Sequence, residues 1–279
     1  MKYYSAVVNE DEIAATTLFP PYNILASFHY FKKKIDVIKK SIQNNHDVFI
    51  DSGAFSAANS GKAINIDEYC EFLKETGAVN YASLDVMGNA KETLENYKYM
   101  VEKHKLKPIM TFHMGSEIVD LDPILNLDCP YIALGGLVFS SGIMNHCDEV
   151  WSMILKRKPH LKVHGFGLTN IELMKRYPWY SVDSSSFKSC KRFGRQGIIW
   201  NGFNFETFSE DEYLELLEKM GYHFPIAETK EEITAVNKKK WFAYDFHSCQ
   251  SYKMYAAHLT ELNRIKDFSY LTNQVKLFE

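Results

Sequence analysis

The chain has 279 residues, 46% of them hydrophobic and 24% charged, with a formal net charge of −3. This balance excludes a disordered polyelectrolyte, which cannot bury enough apolar surface to offset its chain entropy. It also excludes a globally basic nucleic-acid binder, so any affinity for polyanions must reside in a local patch.

Five cysteines (Cys70, Cys129, Cys147, Cys190 and Cys249) form an odd set without a close pair. That is unlike the even framework of a small secreted domain and points to a reducing, cytoplasmic setting. The start, Met1-Lys2-Tyr3-Tyr4, lacks a basic region followed by an apolar signal core, and the most apolar stretch, Phe19 to Phe31, contains Pro20-Pro21 and His29. No membrane association is expected.

In chain order, short β-rich runs alternate with amphipathic segments. The runs are Tyr4–Val8, Ile24–Phe28, Val48–Asp51, Tyr81–Asp85, Pro108–Phe112, Tyr131–Gly135, Lys162–Phe166 and Tyr180–Asp183. Several are continuous apolar stretches, as strands buried on both faces of a parallel sheet require. Helices are expected over Lys33–Asn44, Asp67–Thr76, Ala90–Lys103, Asp148–Lys156 and Asn170–Arg176. In the first of these, Ile35, Ile38 and Ile42 take one face and the lysines the other. Strand–helix repetition of this kind predicts an α/β fold, a (β/α)8 TIM barrel.

After Asp183 the pattern breaks. Lys188–Arg195 reads as a basic loop, Gly197–Gly202 as a short strand, and Glu210–Lys219 and Cys249–Lys266 as helices; Lys238-Lys239-Lys240 reads as a solvated face. The expectation is one barrel domain over 1–279, with 184–245 a small insertion between the eighth strand and the last helix.

Barrel enzymes carry their chemistry at the C-terminal ends of the strands. Here Asp51 ends the third strand, Asp85 the fourth, His113 the fifth, Gly135-Gly136 the sixth, His164-Gly165 the seventh and Asp183 the eighth. A single strand-end aspartate is as readily a helix cap. Three carboxylates and two imidazoles on one rim exceed what capping needs.

These residues resemble a family, the tRNA-guanine transglycosylases and their DNA-directed 7-deazaguanine relatives. Asp51-Ser52-Gly53-Ala54-Phe55 is similar to the family's Asp-Ser-Gly-Gly-aromatic motif, and Ala133-Leu134-Gly135-Gly136-Leu137 to its Ile/Leu-Gly-Gly-Leu segment. Asp85, Phe112-His113-Met114-Gly115, His164-Gly165-Phe166-Gly167 and Val182-Asp183 follow in the family's order, with His113 where the family has glutamine.

The resemblance implies that Asp183 is the nucleophile and Asp51 the general acid/base. It implies a base site built from Asp85, Ser52, Gly53, Phe55, His113, Gly135, Gly136, Leu137, His164 and Gly165. Phe55 would stack on the base, and Asp85 would accept from the guanine N1–H and amino group.

Two departures stand out. Only Cys249, preceded by Asp245 and His247, remains where the family's Cys-x-Cys-x-x-Cys zinc segment lies, so no zinc and no other cofactor is expected. Ser184-Ser185-Ser186-Phe187-Lys188 replaces the family's Pro-Thr-Arg, which favours DNA over tRNA as the polymer. A preQ0-type 7-deazaguanine is the small-molecule substrate the resemblance implies.

Lys188, Lys191, Arg192 and Arg195, interleaved with Phe187 and Phe193, suit phosphates and a stacked base. The competing readings are a transglycosylase acting on tRNA, a metal-dependent barrel hydrolase using strand-end histidines such as His29, and a catalytically inactive nucleic-acid-binding barrel.

Overall fold

A computed structural model describes residues 1–59, 61, 63–137, 143–188 and 197–273. The first part of the chain alternates strand and helix: β1 (Lys2–Val7), α1 (Glu10–Thr16), β2 (Asn23–Ser27), α2 (Phe28–Phe31), α3 (Ile35–Gln43), β3 (Asp47–Asp51), α4 (Ala54–Asn59), α5 (Ile66–Thr76) and β4 (Asn80–Tyr81). It continues with α6 (Ala90–Glu102), β5 (Met110–His113), α7 (Leu121–Leu125), β6 (Tyr131–Gly135), α8 (Ile143–Arg157), β7 (Lys162–Gly165), α9 (Ile171–Arg176) and β8 (Ser181–Ser184).

The eight strands are parallel, in the order β4-β3-β2-β1-β8-β7-β6-β5. The two edges meet: Ala82 forms a parallel bridge with Ile109. The Ile109 N–H donates to Tyr81 O and the Ser83 N–H to Ile109 O, both at 2.8 Å. The fold is the expected (β/α)8 barrel.

Strand alternation sorts the side chains into two cores. Ile24, Ala26, Val48, Ile50, Ile132, Leu134, Val163 and Val182 pack outward against the helices. Tyr4, Leu25, Phe49, Ala82, Ile109, Tyr131 and Ala133 fill the barrel interior. By the same parity Asp47 and Asp51, which flank Phe49 on β3, face inward, as do His164 on β7 and Ser181 and Asp183 on β8. The N-terminal mouth is plugged by Asp47, whose carboxylate accepts from Lys2 Nζ at 2.6 Å, the Tyr4 hydroxyl at 2.9 Å and Asn80 Nδ2 at 3.0 Å.

Asparagine side chains start several helices. Asn9, Asn65, Asn89 and Asn170 each accept the first-turn N–H groups of α1, α5, α6 and α9, and α5 ends at Gly77 in the left-handed region, φ 70°.

The described chain after the barrel strands forms an antiparallel hairpin, β9 (Gly197–Trp200) and β10 (Phe205–Phe208), then α10 (Glu210–Lys219), α11 (Lys230–Ile265) and α12 (Ser269–Asn273). Trp200, tilted, and Phe205, edge-on, pack against Tyr255 of α11, whose Tyr252 stacks on Tyr3 of β1.

Helix α11 runs 36 residues and crosses position 245 without a break, well before the expected start at Cys249. Its opening turns carry few apolar residues but are nucleated by a capping box, Thr229 with Glu232. Lys238–Lys240 is not a purely solvated face. Lys239 donates to His223 O at 2.8 Å, Lys239 and Lys240 lie over the Phe224 ring, and Lys238 pairs with Asp11 at 3.1 Å. Among the described residues no helix is long and apolar enough to cross a membrane.

Candidate active site

Asp51 ends β3 and Asp183 lies in β8, both on the inward face towards the C-terminal end of the barrel. Asp51 is half-buried, and one carboxylate oxygen accepts the Gly53 N–H at 3.0 Å. Burial, reinforced by the negative charges of Asp85 and Asp183, pushes its carboxyl from the ordinary 3.8 up to about 7; the hydrogen bonds from Gly53 and Ser27 act in the opposite sense. A carboxyl poised there gives and takes protons near neutrality.

The turn that follows Asp51 demands glycine. Gly53 has φ +79°, and a Cβ there would sit 2.5 Å from the Ser27 hydroxyl oxygen and 2.6 Å from His29 Cβ.

Asp183 is 5% exposed. Its Oδ1 is met by two groups, His164 Nε2 at 3.1 Å and the Gly167 N–H at 3.0 Å. Its Oδ2 accepts no hydrogen bond among the described residues.

Asp85 follows β4 and is claimed on both oxygens, by the Ser52 hydroxyl at 2.6 Å and by His113 Nε2 at 2.7 Å. This Asp85–His113 pair joins the rim ends of β4 and β5. Gly135, on the neighbouring β6, leaves room for the His113 ring: a Cβ there would lie 2.8 Å from both Nδ1 and Cε1. Gly136 turns the chain at φ +77°, close over Met114 O.

Phe55, on the first turn of α4, is 49% exposed beside this rim. A cavity of about 430 Å3 opens next to Asp85, walled by Ala54, Ala57, Ile64, Leu84 and Met87 among others.

The rim gathers Asp51, Gly53, Phe55, Asp85, His113, Gly135, Gly136 and Asp183, but Asp85, expected to accept from the base, has both oxygens engaged by Ser52 and His113, and several other expected base-binding residues point elsewhere. Ser52 is fully buried and its hydroxyl is spent on Asp85, so it braces that carboxylate and does not face a ligand. His164 is 0% exposed inside the barrel, beneath Asp183. Gly165 faces the helices, where its missing side chain makes space for Leu168 and Trp179. Leu137 is buried in the outer core, because the positive φ at Gly136 redirects the chain.

Lys188 is also misplaced for binding phosphate. It is 1% exposed, with Nζ 2.8 Å from Glu12 Oε2 in a buried ion pair. Lys191, Arg192 and Arg195 lie outside the described residues.

Sequence reasoning missed two things. Gly167 supplies a backbone donor that no side-chain pattern announces. Ser181 shares the inward face with Asp183 two residues later, and strand parity is the signal that reveals it.

Cys249 and His247 do not converge: Cys249 Sγ lies 2.9 Å from Ser5 Oγ on β1, whereas His247 Nε2 faces the Tyr222 hydroxyl at 3.1 Å. Among the described residues no group of three or more His, Cys, Asp or Glu side chains is arranged to hold a metal ion. The described cysteines, Cys70, Cys129, Cys147 and Cys249, are buried free thiols. Compared with known proteins, the chain matches no protein-family model and no curated protein.

Proposed function

We propose that this protein is a base-exchanging glycosyltransferase that replaces guanine in a nucleic acid, DNA in preference to tRNA, with a preQ0-type 7-deazaguanine. The observation that carries the reading is the pairing of two differently held carboxylates on one barrel rim. Asp183 has one oxygen met by two groups and the other unengaged among the described residues, while the Asp51 carboxyl is pushed up to about 7.

Substitution at an anomeric carbon passes through an oxocarbenium-like state that a carboxylate can trap covalently. Asp183 Oδ2 attacks C1′ as the C1′–N9 bond breaks, and the departing guanine takes its electron pair together with a proton from Asp51. The incoming base then loses its ring N–H proton to Asp51 and attacks C1′ through that nitrogen. The ester bond breaks and Asp183 is regenerated as a carboxylate. The proton count closes over one cycle.

The exposure of Phe55 supports a stacking role, and His113, held by Asp85 beside Gly135, is the imidazole we assign to the base edge. The polymer would be held outside the pocket by Lys191, Arg192 and Arg195. Neutralising all three is expected to lower the slope of log affinity against log salt by roughly 0.7–0.9 for each phosphate that is no longer paired with a cation, with affinity for free base unchanged.

The decisive assay incubates the protein with radiolabelled guanine or preQ0 and, in separate reactions, duplex DNA and bulk tRNA. Label in the DNA supports the reading as stated; label in tRNA alone reverses the choice of polymer. No label in either defeats the reading.

A further inference from the structure

His164 is a residue type that barrel interiors seldom need, and here it is packed on all sides. Phe49 stacks on its ring at 4.6 Å between centroids and 29° between planes, Phe166 meets it edge-on at 4.6 Å, and Tyr4 edge-on at 6.0 Å. An apolar side chain would fill that space without any polar atoms to satisfy.

What distinguishes the imidazole is that both ring nitrogens are engaged. Nε2 faces Asp183 Oδ1 at 3.1 Å, and Nδ1 lies 2.6 Å from Ser181 Oγ. Ser181 Oγ is in turn 2.5 Å from the Tyr131 hydroxyl. Burial raises the Tyr131 phenol well above its ordinary value, so it stays protonated and can donate. With Asp183 a carboxylate and one proton on the imidazole, as the proposed attack requires, the hydrogen count gives the chain a direction. Tyr131 O–H donates to Ser181, Ser181 O–H donates to His164 Nδ1, and His164 Nε2–H donates to Asp183.

We infer that Tyr131, Ser181 and His164 form a buried donor relay, crossing β6, β8 and β7, that sets the orientation of the attacking carboxylate. The inference rests on the reading of Asp183 as nucleophile. His164 does not touch substrate: it is a positioning residue, and Tyr131 and Ser181 act through it. Consecutive polarised hydrogen bonds strengthen one another in a dry interior, and a residue fixed by its neighbours holds a reacting group to tighter geometry than one left to rotate.

The packing explanation and the relay explanation order the substitutions oppositely. His164→Met keeps an apolar filler but removes the donor, so the exchange kcat should fall by about 10–100-fold, the worth of one hydrogen bond to a charged group. His164→Gln keeps an N–H near the position of Nε2 and should recover to within about 5-fold of wild type, since only the geometry of that same bond has changed. Ser181→Ala should cost about 3–10-fold and Tyr131→Phe about 2–3-fold, as expected for neutral links. KM should stay within about 2-fold throughout, because an interaction made away from the substrate alters the chemical step and not ground-state binding.

If His164→Met exchanges as fast as or faster than His164→Gln, the ring is a packing element and the inference falls.

A second measurement needs no substrate. Long-range 1H–15N spectra, with His164 assigned by its loss in His164→Gln, should show the Nε2-protonated tautomer, and Ser181→Ala should move the Nδ1 resonance. An Nδ1-protonated ring, or a resonance indifferent to Ser181→Ala, overturns the relay whatever the exchange assay reports. Wild-type protein that shows the expected tautomer yet transfers no base defeats the transglycosylase reading alone.

Discussion

Strand β3 carries an inward-facing aspartate at each end of the barrel, and their surroundings could hardly differ more. Asp47, at the N-terminal mouth, accepts three hydrogen bonds, one from the Lys2 ammonium. Asp51, four residues on, has only the uncharged donors Gly53 N–H and Ser27 hydroxyl and lies near the negative charges of Asp85 and Asp183. The first is satisfied and closes the barrel. The second has no cation to offset its burial, the condition under which a carboxyl is pushed up. One strand thus separates a fully satisfied carboxylate from a sparsely satisfied one, the latter at the end where barrels generally carry their chemistry.

The sharpest way to break this contrast is at the second rim carboxylate. Asp183→Ala should abolish base exchange, at least ~1,000-fold down by analogy with loss of other covalent nucleophiles. A covalent protein–polymer adduct, trapped from wild type when the incoming base is withheld, should disappear with it. Retention of a tenth of the wild-type rate would remove Asp183 from the role.

Asp51→Asn should slow exchange by about 100- to 10,000-fold, the usual worth of a general acid/base, and it carries a second signature. The folded protein binds the Asp51 proton up to about pH 7, whereas the unfolded chain releases it near 3.8. Stability contributed by that protonated carboxyl is therefore complete below about 4 and is lost as pH climbs towards 7. Each pH unit of that window is worth at most about 1.4 kcal/mol. Asp51→Asn should flatten the fall, so the variant melts above wild type at pH 8 and level with it at pH 4. A wild-type melting curve that rises from pH 4 to 7 for reasons traced to Asp51 would contradict the raised carboxyl.

Asp47→Asn is the smaller, opposite experiment. It weakens an ion pair and two hydrogen bonds, so about 1–2 kcal/mol of stability should go, with exchange little altered. Two Asp→Asn changes on one strand would then move the melting temperature at pH 8 in opposite directions.

The barrel itself was readable because strands buried on both faces leave continuous apolar runs, such as Val48-Phe49-Ile50 and Tyr131-Ile132-Ala133-Leu134. Helices α3, α5, α6 and α8, nine residues or longer, were readable from their period. The short helices α1, α2, α4 and α7 were not, since four to seven residues complete too few turns to show a period. The first half of α11 was hidden because its lysines pack on Phe224 from a neighbouring segment that local patterning does not see.

At the site, strand ends marked which positions matter, but direction was harder. His164 and Gly165 are adjacent in one strand and cannot face the same way, so placing both against the base conflicted with the pleat. Lys188 looked like one of a basic cluster because Glu12, its partner, is 176 residues away in the chain.

The closing seam of the barrel has a mechanical consequence. Strand β4 is two residues long, and between it and β5 the backbone contributes only the bonds around Ile109. Nearer the rim the junction is continued by side chains, the Thr111 N–H to Ser83 Oγ at 3.3 Å and then Asp85 to His113 at 2.7 Å. The hoop is riveted there instead of welded. Breathing of the barrel should concentrate at this joint, where local opening costs least. A ligand seated over the Asp85–His113 pair would touch both sides of it, so occupancy should be legible as slowed amide deuterium uptake at Ser83, Ile109 and Thr111, with the opposite staves β1 and β8 unchanged.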